Sequence, residues 1–201
     1  PTVAAPRARR ADETQIWLPL KPDDLTARAD LEKGFRNLGP SSLLFLKHIE
    51  QIGWSTQGGA SGVYMRSAPE TLGPNVRRIT VIGQESGRPD VDQTWLVFDR
   101  EVFSADGKPV GSVELAFSTG NGEDADWAVQ PIANSPLVVF FPTVVSTHLG
   151  FLVQGPYRTT PSRDNVPKGD PWNQHLVEQT TKLLIDAVRW LRDKEYWDVS
   201  G

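Results

Sequence analysis

Residues 94–103 (TWLVFDREVF) and 110–117 (VGSVELAF) are two strand-forming runs separated by Ser104-Ala105-Asp106-Gly107-Lys108-Pro109. Asp-Gly supplies the positive-φ residue that a tight hairpin needs, and Val113, Leu115 and Phe117 alternate with Ser112, Glu114 and Ala116. This pair commits the middle of the chain to an antiparallel sheet. Further β signals flank it: 76–83 (VRRITVIG), a short strand at 63–66, then 127–133, 137–141 and 150–154. The 137–141 run is apolar at every position and predicts a strand covered on both faces.

Helical patterning lies outside this block. Residues 23–36 predict a helix. A second is expected after Gly39-Pro40, capped by Ser41 or Ser42 and ending near Gly53, because Leu43, Leu46, Ile49 and Ile52 recur. The clearest helix opens at Asp170-Pro171, an N-cap followed by a proline at the first helical position. Trp172, Leu176, Thr180, Leu183, Leu184, Ala187, Val188 and Leu191 then form an amphipathic stripe. Residues 14–20 (TQIWLPL) predict an edge strand, and the Pro-, Ala- and Arg-rich 1–13 a linker or tail. The class is therefore α+β, a mixed and mostly antiparallel sheet with helices near both ends, in one domain over 14–197. The chain opens on Pro1 and its only methionine is Met65. We therefore expect a piece of a longer protein.

Charge and chemistry-bearing residues narrow the function. The net charge of −4 disfavours a globally basic nucleic-acid binder. It is unevenly spread: residues 84–126 hold ten acidic side chains against three basic ones, a local balance of −7, and the remainder carries +3. No calcium-loop spacing occurs there, so a solvated sheet face is expected. Without cysteine, thiolate metal sites, disulfides and cysteine nucleophiles are excluded. His48, His148 and His175 lack metal-ligand spacing, and no metal site is expected. No apolar run approaches the ~18 residues of a membrane span. There is no G-x-S-x-G, Walker A or G-x-G-x-x-G motif, and the loops that build a GHKL-type ATP pocket are missing. Ser162, His148 and Asp164 can be drawn as a triad, as almost any chain of this length permits.

The loop 157–165 (YRTTPSRDN) stands out. It gathers two arginines, three aliphatic hydroxyls and an amide between a buried strand and a long helix. A guanidinium held between rigid elements can present a two-pronged donor to phosphate. On the residues alone, the favoured alternative is that Arg163 pairs with Asp164 or Asp170 and only folds the loop.

Two stretches shift that balance. Phe140-Phe141-Pro142-Thr143 followed by 149–165 (LGFLVQGPYRTTPSRDN) resembles a strand and "SSxR" loop in sacsin-like and related bacterial GHKL ATPases. Residues 16–20 (IWLPL) and 40–49 (PSSLLFLKHI) look like the same family's "xxLPL" strand and "LLFLxHxxxI" helix. The resemblance covers about 60 residues at the two ends of the chain. It implies a middle, transducer-like domain similar to that of the ninety-kilodalton heat-shock chaperone. Such a domain is silent alone and contacts the N-terminal ATP-binding domain of the same polypeptide, where ATP and Mg are held. It implies that Arg163 reaches the γ-phosphate and offsets its developing charge. Ser162 and Asn165 would position the loop, and Arg158 is the rival arginine. A cytoplasmic ATPase that couples nucleotide state to a client or partner protein is the function implied. The alternative is a non-catalytic interaction module, with Trp190 or Trp197 as an interface anchor or a core residue. A small serine hydrolase is the third reading.

Overall fold

The computed structural model describes residues 25–56, 58–120 and 128–196. The expected linker 1–13, the strand 14–20, Trp127 and Trp197 lie outside them.

The fold is α+β, with one large, mostly antiparallel mixed sheet between helices at either end of the described chain. Helix α1 (Leu25–Leu38) leads through a 3-10 helix (Pro40–Phe45) into β1 (Gln51–Ser55), β2 (Ser61–Arg66), β3 (Glu70–Gly73) and β4 (Val76–Glu85). Then come β5 (Val91–Phe103), β6 (Pro109–Thr119), β7 (Val129–Gln130), β8 (Pro136–Val139), β9 (Phe141–Ser146) and β10 (Leu152–Gln154), before α2 (Pro171–Asp193). The spatial order is β1-β2-β4-β5-β6-β10-β8-β9, with β3 on β4 and β7 on β6. Among the described strands only the β10–β8 pair is parallel. The expected β5–β6 hairpin forms, and Gly107 takes φ 75° in its turn.

Directly opposed residues share a sheet face. On one face Phe98, Leu115, Val153 and Leu137 stand in register across β5, β6, β10 and β8. They pack under Leu176, Leu183, Ala187 and Leu191 of α2. Trp190 meets Phe98 edge-on at 5.5 Å and stacks on Tyr196 at 5.4 Å, so it serves the core. On the other face Val97, Ala116 and Leu152 align, with Trp95 beside them, and Leu44 and Phe45 cover part of that surface.

Two expectations are corrected. The helix ending near Gly53 does not form: the chain makes one short 3-10 helix and enters β1 at Gln51. A spacing of three residues turns an α-helix by about 300°, so four such positions drift across half its circumference and make no stripe. Leu43, Leu44 and Phe45 are instead buried consecutively, and Trp54 of β1 lies opposite Gly62 of β2. A methyl group on Gly62 would sit 2.5 Å from the Trp54 indole nitrogen, so the hairpin depends on that glycine. The expected strand 137–141 is also split. Phe140 takes φ 62°, which ends β8 and reverses the chain into β9. The covered-strand expectation holds for β8, where Leu137 faces the α2 core and Val138 the opposite one.

Candidate functional site: the arginine loop

Helix α2 builds the loop 155–170 from below. The Asp170 carboxylate accepts from the backbone N–H of Trp172 (2.8 Å) and Asn173 (3.1 Å), as the Asp-Pro pair predicts. Those bonds, the Asn173 amide first, hold its pKa below the ordinary value of 3.8. A carboxyl with a lowered folded-state pKa contributes stability above its unfolded pKa and loses it as pH falls through the folded value. Asp170→Ala is therefore expected to lower Tm by about 2–4 °C at pH 7. The gap from the native chain should close below pH 4 in melts followed by circular dichroism. A constant gap would mean that the carboxylate is not the cap.

Asn173, on the next turn position, is 3 % exposed. Its Oδ1 accepts from Arg158 N (2.8 Å), and its Nδ2 donates to Arg158 O (3.0 Å) and Pro167 O (3.2 Å). One buried amide thus ties both ends of the loop to the helix. Tyr157 is buried with its hydroxyl 2.9 Å from Thr180, and burial raises its pKa. Trp172 donates to Pro156 O at 3.0 Å.

The loop tip closes on itself. Thr160 N donates to Asn165 O (3.1 Å), Asn165 N to Thr160 Oγ1 (3.2 Å), and Arg163 N to Thr160 O (2.9 Å). The Thr160 hydroxyl donates to Asp164 at 2.6 Å and, with Ser162, holds that carboxyl below its ordinary range. Arg163 sits at the apex with φ 59°. Ser162, Arg163 and Asn165 therefore share one turn.

Arg163 does not pair with Asp164 or Asp170, the outcome the residues alone favoured. Its Nη2 donates to Val139 O (2.7 Å) and Phe141 O (2.9 Å), the carbonyls flanking the Phe140 reversal. Those carbonyls come from the β8–β9 turn, within the stretch 137–141 expected as a single strand. Arg158 makes the ion pair with Asp170 instead, at 3.3 Å, and lies at the helix end of the loop. His148 places Nδ1 3.3 Å from the Ser146 hydroxyl. Among the described residues no hydrogen bond joins His148 to Ser162 or Asp164. No group of three or more His, Asp or Glu side chains suited to a metal ion occurs among the described residues. No described helix is long and apolar enough to cross a membrane.

Asn173 was not foreseen, although a signal existed. It stands three residues before Leu176, a polar side chain on the buried stripe.

Over 181 residues the chain is 28% identical to Protein NO VEIN of Arabidopsis thaliana. The match takes in 88% of this chain and 6% of that protein, so the chain spans only a small fraction of the relative's length. No protein-family profile matches the chain. No solved structure matches it.

Proposed function

We propose that the chain is a transducer-like module of a larger, sacsin-like GHKL ATPase, in which Arg163 exchanges between the β8–β9 turn and a nucleotide phosphate. The observation that carries this reading is the grip of Arg163 Nη2 on the Val139 and Phe141 carbonyls. Both two-pronged edges of a guanidinium include Nη2, so a bidentate bond to phosphate competes with that grip. Charge arriving at Arg163 would free the carbonyls at the Phe140 reversal and loosen the hairpin. That is a physical route from a phosphate to a sheet edge. Two further facts support the reading: the loop is anchored by a buried amide, and the similar plant protein is far longer than this chain.

Arg163 brings one guanidinium to this task, which fits half of a phosphate site. ATP and Mg would be held by the preceding domain of the same polypeptide, in the cytoplasm, and would supply the phosphoryl group. This chain's part is to offer the guanidinium, keep it on a rigid loop and report its position through Phe140.

In the full-length protein Arg163→Ala is expected to lower ATP turnover about tenfold or more, equivalent to about 1.4 kcal/mol. Nucleotide affinity should stay within about twofold, since the loss falls on the transition state. Arg158→Ala serves as the matched control and should leave turnover near normal. Unchanged turnover in Arg163→Ala would reject the role of Arg163.

A second reading, a non-catalytic interaction module, draws on the apolar side chains displayed by the same hairpin: Phe140, Phe141 and Val144 are all exposed. A partner captured equally with and without ATP, and equally by Arg163→Ala, would favour it.

A further inference from the structure

On the sheet face opposite α2, a cavity of about 370 Å³ opens beside the Phe140 turn. Its walls are apolar and include Phe45, Ile49, Val110, Phe140 and Pro156. Its floor is polar and is built by the sheet register. Asp99 of β5 opposes Glu114 of β6, which opposes Gln154 of β10. Glu114 is satisfied by Arg77 Nη2 and by the Ser112 hydroxyl (3.0 Å), and Arg77 also holds Asp99 at 2.8 Å. Gln154 is different. It is 5 % exposed, lines the cavity, and its Oε1 has no hydrogen-bond partner.

A buried amide oxygen without a donor is costly, and native folds rarely leave one. A ligand that brings a donor to it would recover that cost. Glu114, the carboxylate that lines the cavity, is paired with Arg77, so the floor holds no free charge for an ionic head. The walls supply two phenyl rings and a proline ring, and the volume lies within the usual range for small-molecule sites. Lys47 and His48 stand at the mouth, both exposed. The Gln154 oxygen is closed to water, and a half-turn of the terminal amide about χ3, a broad two-fold torsion, presents it to the cavity that the side chain lines. Phe140 forms the outer wall, on a left-handed turn and 57 % exposed.

We infer that this cavity binds a small, uncharged aromatic molecule carrying one N–H or O–H donor, of the indole or phenol type, with the donor bonded to Gln154. The inference does not depend on the role proposed for Arg163.

The test is an NMR titration of the 201-residue chain with indole, with indene as the donor-free ring of the same shape, and with N-acetyltryptophanamide. Indole is expected to shift the Gln154 side-chain amide and to bind about tenfold more tightly than indene. Gln154→Met should abolish that preference while keeping indene binding, and removing an unpaired oxygen should leave folding intact. Should Gln154→Met not fold, Phe140→Ala, a change at an exposed side chain, should weaken both rings several-fold. No shift at Gln154 with millimolar indole would overturn the inference. So would an indole preference that survives Gln154→Met, ring binding unaffected by Phe140→Ala, or binding of N-acetyltryptophanamide without indole, which would mark a protein-docking pocket instead.

Discussion

Arg77→Met is expected to destabilise the chain by about 3–5 kcal/mol, read as a fall in the urea midpoint at unchanged slope. The side chain spans three strands from β4, with Nη1 on Asp99 of β5 and Nη2 on Glu114 of β6. Glu114 is 1 % exposed, whereas Asp99 keeps access to solvent. Without the guanidinium, Asp99 can be solvated but Glu114 is left as a buried charge with one hydroxyl. The penalty therefore belongs to the orphaned carboxylate. Arg77→Met combined with Glu114→Leu should regain most of the loss, because an apolar replacement of a buried pair is often neutral. If the double variant were as unstable as the single one, the destabilisation would have to come from lost packing of the Arg77 stem.

Asn173→Leu is expected to cost about 3 kcal/mol, since Arg158 N and Arg158 O lose their partner and Pro167 O keeps only the Asp170 N–H, at a buried position of similar volume. The effect should be local before it is global. The Arg158 amide should lose hydrogen-exchange protection, and the loop 155–170 should be cut by protease while α2 remains helical. Asn173→Asp separates the contributions: it keeps the acceptor for Arg158 N but loses both donations, to Arg158 O and Pro167 O. A loop as protected in Asn173→Leu as in the native chain would show that Tyr157 and the Asp170 cap suffice to hold it.

The sequence revealed most where local chemistry and tertiary packing agree. Asp170-Pro171 announced the start of α2 because a carboxylate cap and a fixed φ act within one turn, whatever the helix packs against. Asp106-Gly107 placed the β5–β6 turn for the same reason. Residues 40–55 misled because burial of Leu43, Leu44 and Phe45 is imposed by a sheet built from segments far along the chain. Phe140 was hidden more deeply. Nothing in a run of valines and phenylalanines marks a left-handed residue, and the turn is gripped by an arginine 23 positions later in the sequence. The loop residues Ser162, Arg163 and Asn165 were legible as a cluster. The partner of Arg163 was not, because backbone carbonyls leave no trace in residue identity.

Strand β10 carries a mechanical consequence. Its three residues lie between β6 and β8, although the β8–β9 hairpin precedes it in the chain. The hairpin is therefore connected to the rest of the sheet through Leu152–Gln154 as the splice. In the folded state that splice is short, while the β5–β6 ladder beside it runs from Thr94 to Phe103. Under load the sheet should part along this seam, releasing β8 and β9 together and leaving the long antiparallel ladders whole. Arg163 crosses to the hairpin side of that seam, where a single side chain has the most leverage over whether it stays shut.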